Sequence, residues 1–231
     1  MSKYFNFENK SDYIYYLSEI IIDTIQKKER LEFYLGEIIT LLETNPNAKL
    51  INSKLYESIS DKTIRPLQYL SNLIGDESKK AVSYRKFRKI LFKNRNDLKI
   101  KIDNLSTEEE KLLGEFNQLR NWGLHIPESL FLQKKKFFKM DENYILENKA
   151  QIIIPRYDNF EIKFLQQYKE ELSDFLSSTE IILSRMKRDY EQLIEEKFEF
   201  VFEDNIYKPY KIMDIAQNSW DIQNGKKIKI K

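Results

Sequence analysis

The chain has 231 residues, long enough for one large domain or two small ones and for a substantial core without covalent staples. It has no cysteine and one histidine, which excludes disulfides and thiolate sites, argues against a zinc or redox site and leaves a carboxylate-held Mg²⁺ as the metal option still open; no cofactor is expected. The formal net charge is only +2, but it is segregated: ten Lys/Arg and a single acid, Asp97, lie between Lys79 and Lys101.

The N-terminus lacks a continuous apolar signal core, and Ile20-Ile21-Ile22 is flanked too closely by Glu19 and Asp23 to span a bilayer. A soluble cytoplasmic protein with no membrane association is expected. Five glycines and five prolines, with long runs of helix-period apolar residues, predict a mainly α fold. The expected architecture is a bundle of about five or six helices with small β-hairpin additions toward the C-terminus.

Ser11 or Asp12 is placed to cap a first helix whose apolar face runs from Ile14 through Leu17, Ile21, Ile25, Leu31, Leu35 and Ile38 to Leu42, ending at Asn45-Pro46-Asn47. Further helices are expected over Lys54 to Asn72, perturbed at Pro66, and over Glu77 to Lys93. The second carries the basic stretch. With Tyr84, Phe87 and Phe92 interleaved, two readings fit it: a solvated cationic face above an aromatic core stripe, or an RNA track in which Arg85, Lys86, Arg88 and Lys89 meet phosphates.

Ser106 and Glu109 form a capping-box pattern, and Glu108, Glu109 and Glu110 favour the positive end of the helix that starts there. Beyond it, Pro127 interrupts or restarts the helix, and Tyr144 to Pro155 reads as extended, a β insertion near 144–158. From Phe160 to about Glu196, Leu165, Tyr168, Leu172, Phe175, Thr179, Ile182, Met186 and Leu193 form a three-four seam that requires a partner. The tail alternates at Phe198, Phe200 and Phe202, and Asn224-Gly225 signals a type I′ hairpin. Residues 1–197 are thus expected as one helical domain, with 198–231 as an extended or hairpin tail packed on it.

The Ser106 helix leads into Leu119-Arg120-Asn121-Trp122-Gly123-Leu124-His125. At helical spacing Asn117, Arg120, Asn121 and His125 fall within an arc of roughly 140°, while Phe116 and Leu119 point elsewhere. Asn121 and His125, four apart, can hydrogen-bond and fix the imidazole tautomer, whereas Arg120 and His125 diverge on a straight helix. Two copies about a two-fold axis would gather the divergent groups around one cleft, so a homodimer is expected with the motif near its interface. Histidine and arginine suit RNA cleavage through the 2′-hydroxyl, which needs a proton moved near neutral pH and a phosphorane stabilised. The bland readings stay open: Arg120 and His125 as capping or salt-bridging groups, Trp122 as core or interface, and Lys134, Lys135 and Lys136 as a solvated face instead of a phosphate contact.

Arg120-Asn121-Trp122-Gly123-Leu124-His125 in an all-helical chain resembles the signature of the HEPN superfamily, Arg followed by four to six residues and His, often with Asn after the Arg. The resemblance implies a dimerising helical domain and a metal-independent endoribonuclease leaving a 2′,3′-cyclic phosphate, in a phage-defence, toxin-antitoxin or CRISPR-linked setting. It implies His125 as general acid/base, Arg120 on the scissile phosphate and Asn121 orienting both, with Glu115 a candidate for holding Arg120 and Asn117 in support. An antitoxin or regulatory partner would fit such a setting. Pro127 stands where one branch carries a tyrosine that accepts AMP, so that modification and a nucleotidyltransferase antitoxin are not supported. The alternative is a non-catalytic helical RNA-binding or protein-interaction scaffold. Accessible Arg120 and His125 in a basic cleft favour the enzyme; burial or salt-bridging favours the scaffold.

Overall fold

Asn9, not Ser11 or Asp12, caps the first helix: its side chain accepts from the backbone N–H groups of Ser11 and Asp12, and the Asp12 carboxylate accepts in return from the Asn9 N–H. This reciprocal capping box starts α1 (Lys10–Thr44), which Asn45 ends. The structure is a computed structural model that describes residues 5–124, 147 and 157–212. The elements that follow are β1 (Leu50–Asn52), α2 (Ser53–Gly75), α3 (Tyr84–Asn94), α4 (Thr107–Leu124), β2 (Asn159–Glu161), α5 (Ile162–Ile194), β3 (Phe198–Glu203) and β4 (Ile206–Lys211). A mainly helical bundle carries two small antiparallel two-stranded sheets, β1 with β2 and β3 with β4.

The α5 seam has its partner within the chain. Its buried residues, among them Leu165, Leu172, Thr179, Ile182, Met186 and Leu193, pack chiefly against α1. Lys10 pairs with Glu195 at 2.6 Å and Lys28 with Glu180 at 3.0 Å, so α1 and α5 run antiparallel. The partner that the seam requires is therefore α1, and its buried apolar residues are covered within the chain.

Helix α2 continues through Pro66, which is buried inside it. Helix α3 begins seven residues later than the periodicity indicates, because Ser83 caps it by accepting from the Lys86 N–H at 3.2 Å. Ser106 and Glu109 form the expected reciprocal cap of α4, at 2.6 and 3.1 Å. The tail hairpin turns through Asp204 and Asn205, both in the left-handed region at φ 53° and 64°, the requirement of a two-residue type I′ turn. Phe198 and Phe200 from β3 close over Tyr190 of α5, with ring centroids 4.5 and 5.8 Å away. Asn224-Gly225 and, apart from residue 147, the 144–156 part of the expected β insertion lie outside the described residues. Among the described residues no helix is long and apolar enough to cross a membrane.

Candidate functional site

Arg120 stands near the end of α4 against the C-terminal end of α2. The two helices meet at Gly75, where a Cβ would lie 2.5 Å from the Asn117 nitrogen and 2.7 Å from the Phe116 carbonyl carbon, so a side chain there would hold them apart. Across that close approach Arg120 Nη2 pairs with Asp76 Oδ2 at 3.2 Å, its Nε donates to Asn72 Oδ1 at 3.4 Å, and its Nη1 donates to Asn121 Oδ1 at 2.9 Å.

Asp76 does several things at once. Its backbone N–H closes α2 onto the Asn72 carbonyl, its Oδ1 accepts from the Ser78 N–H at 2.8 Å and folds the following loop back, and its Oδ2 faces Arg120. The carboxylate is largely buried while the Arg120 side chain keeps 22% of its surface exposed, so the guanidinium is oriented by its partners without being enclosed. Sequence reasoning missed Asp76; the signal was the Gly75-Asp76 step directly after a helical pattern.

Glu115 does not hold Arg120. It pairs with Lys111 one turn back at 3.4 Å, because at i,i+5 its carboxylate faces away from Arg120 around the helix. Asn117 contributes its backbone to the Gly75 contact, and Asn121 is exposed and touches Arg120. His125, the side chain of Trp122, and Lys134, Lys135 and Lys136 lie outside the described residues.

The basic stretch on α3 is not an unopposed face. Glu77, just before the stretch begins, takes Arg85 at 2.5 Å and Lys89 at 2.6 Å, and the hydrogen bond from Lys89, with Arg85 beside it, holds the Glu77 carboxyl below its usual range. Arg85 also donates to the Leu113 carbonyl at 2.9 Å, which ties α3 to α4. Lys86 donates to the carbonyls of Lys79 and Ala81 and closes the loop between α2 and α3. Arg88 is a core residue, its side chain 5% exposed and paired with Asp189 at 2.8 Å.

That pair belongs to a buried network. Asp189 accepts from Arg88, from Arg185 at 2.8 Å and from the Tyr84 hydroxyl at 2.7 Å, which joins α3 to α5. Arg88 and Arg185 both reach the Asp103 carbonyl, at 2.7 and 2.6 Å, and so anchor the loop that leads into α4. Burial pushes the Asp189 carboxyl upward against the pull of the two guanidiniums, and burial beside that carboxylate pushes the Tyr84 phenol well above its ordinary value. Among the described residues no group of acids and histidine is placed to hold a metal ion. The chain matches no family model, no curated protein and no solved structure.

Proposed function

We propose that the chain is a metal-independent endoribonuclease of the HEPN type, working in the cytoplasm as a two-fold dimer with the motif near its interface. The observation that carries this reading is the seating of Arg120: Asp76, Asn72 and Asn121 fix its guanidinium while 22% of the side chain stays exposed, five residues before the only histidine. A planar cation held in place ahead of the reaction stabilises phosphorane charge without reorganisation at the moment of cleavage. In the proposed reaction His125 exchanges protons with the attacking 2′-hydroxyl and the departing 5′-oxygen, as the 2′-oxygen bonds to phosphorus and the bond to the 5′-oxygen breaks. The products are a 2′,3′-cyclic phosphate and a 5′-hydroxyl end. A phage-defence or toxin-antitoxin setting, with an antitoxin or regulatory partner, goes with this reading.

The test is incubation of purified protein with single-stranded RNA in EDTA, with analysis of the ends. Cyclic phosphate and 5′-hydroxyl ends that disappear with His125→Ala support the reading, and intact RNA, or cleavage undiminished in that variant, overturns it. By the salt-bridging criterion the Asp76–Arg120 pair favours, over the first, a second reading in which Arg120 is a clasp between α2 and α4 in a non-catalytic RNA-binding or protein-interaction scaffold. On that reading Arg120→Ala lowers stability and no RNA is cut by any form of the protein.

A further inference from the structure

Apart from the exposed Lys93, the cations of α3 have partners within the chain, and open positive charge is found in a groove as well as at the exposed Lys79 and Lys80. A groove of about 850 Å³ runs between α1 and α2, and its walls carry Lys27 and Arg30 from α1 and Lys54, Lys62 and Arg65 from α2, against the acids Glu57 and Asp61. Lys62 pairs with Glu37 at 3.4 Å, whereas Lys54 and Arg65 are exposed with no ion pair among the described residues. Lys27 and Arg30 rest on aromatic rings: Lys27 Nζ is 4.9 Å from the centroid of Tyr69, and the Arg30 guanidinium carbon 5.9 Å from that of Tyr34. Cation–π seating holds a charge in place without neutralising it, as a carboxylate would. Tyr69 is 42% exposed, and its hydroxyl donates to Asp23 at 2.7 Å; burial and that carboxylate push its pKa up to about 12, so the phenol stays neutral.

The geometry points to this groove as the binding track for single-stranded RNA, with phosphates along Lys54 and Arg65 and a base against Tyr69. The stretch of α2 from Lys54 to Tyr69 is about 22 Å long, room for a few nucleotides. A net-positive groove with aromatic side chains set among its cations is the arrangement that single strands require, since backbone charge supplies affinity and every base has a face to stack. The choice of RNA over other polyanions rests on the ribonuclease reading; the placement of the track rests on the groove alone.

The experiment measures binding without cleavage, by fluorescence anisotropy with a labelled 2′-O-methyl oligouridylate of about twelve nucleotides, across a salt series. Lys54→Gln with Arg65→Gln is expected to weaken binding and to flatten the salt dependence by up to about 1.4 in slope, two single-strand phosphate contacts at about 0.7 each. Tyr69→Ala is expected to weaken binding about fivefold or more, while Tyr69→Phe, which keeps the ring, binds as the parent does. Lys79→Gln with Lys80→Gln removes the same charge from an exposed loop and is the control. The track is overturned if the parent does not bind the probe, if the groove pair leaves the slope unchanged, or if the control pair lowers it equally. Heparin competing as well as RNA, with Tyr69→Ala binding like the parent, also overturns it and marks a general polyanion patch. Because the probe cannot be cleaved, failure of the track is read separately from failure of the nuclease, which the EDTA cleavage assay reports.

Discussion

Gly75 of α2 lies against the backbone of Asn117 in α4, so close that a Cβ would sit 2.5 Å from the Asn117 nitrogen. Replacing glycine by alanine in a helix ordinarily stabilises by about 0.5–1 kcal/mol, because the unfolded chain loses freedom. Here the sign reverses, since the atoms in the way are backbone and cannot turn aside. Gly75→Ala is expected to destabilise by about 1–3 kcal/mol, the range for overpacking, as a fall in the urea midpoint. A midpoint at or above the parent's would show that α2 and α4 do not meet this closely.

Asp189 accepts from two guanidiniums and a phenol in the core, and Arg88 Nε is buried without a partner among the described residues. Taking away the carboxylate leaves two buried cations facing each other. Asp189→Ala is therefore expected to cost about 3–5 kcal/mol, the range for breaking a buried pair from one side. Replacing Arg88, Arg185 and Asp189 together by apolar residues of similar volume should cost much less, because the desolvation penalty goes with the charges. Denaturant titration of the single and triple variants separates the two. A triple variant no more stable than Asp189→Ala would mean that the network contributes through packing and the Asp103 anchor, not charge pairing.

The helices, the α4 capping box and the aromatic alternation of the tail are legible in the sequence, since each rests on spacing within one element. What spacing cannot convey is where a charge goes across elements. Arg88 reads as surface among its basic neighbours, but Asp189, 101 residues further on, draws it inward. Glu77 neutralises Arg85 and Lys89 from just outside the stretch whose charge looked unopposed. Asp76 was equally hidden: only the packing of Gly75 on α4 brings Arg120 within its reach. The turn at Asp204-Asn205 uses residues that tolerate the left-handed region, a weaker sequence signal than Asn224-Gly225 because neither is glycine.

Acid should weaken the fold through specific carboxylates. Lys89 and Arg85 hold Glu77 below its ordinary pKa, and Gln192 with Arg188 does the same for Asp103. A carboxyl whose folded value is depressed binds its proton more weakly in the native chain, so its contribution is complete above the unfolded value, about 4 to 4.5, and is lost as pH falls through the folded value. Urea midpoints should therefore decline below about pH 4.5, and Glu77→Gln should make that decline shallower while costing less than about 1 kcal/mol at neutral pH, because the pair is partly exposed. An acid limb as steep in Glu77→Gln as in the parent would remove Glu77 from this account.

Asp76 and Arg120 allow the clasp and the catalytic reading to be measured on the same variants. The pair is partly buried at 3.2 Å, so Arg120→Ala should cost about 1–2 kcal/mol of stability on either reading, and a double-mutant cycle with Asp76→Ala should return a coupling of about 0.5–3 kcal/mol. Only the catalytic reading adds a separate kinetic effect. Asp76→Asn keeps the size and the Ser78 hydrogen bond but removes the charge that orients the guanidinium, and it should slow RNA cleavage about tenfold or more at temperatures where the protein is fully folded. Arg120→Lys should rescue cleavage poorly, because an ammonium cannot meet Asn72, Asp76 and Asn121 as a planar fork and still face a phosphate. His125→Ala should lower the rate by about 10² to 10⁴. If Asp76→Asn and Arg120→Lys lose stability but cut RNA at the parental rate, Arg120 is a clasp and the phosphate is stabilised elsewhere.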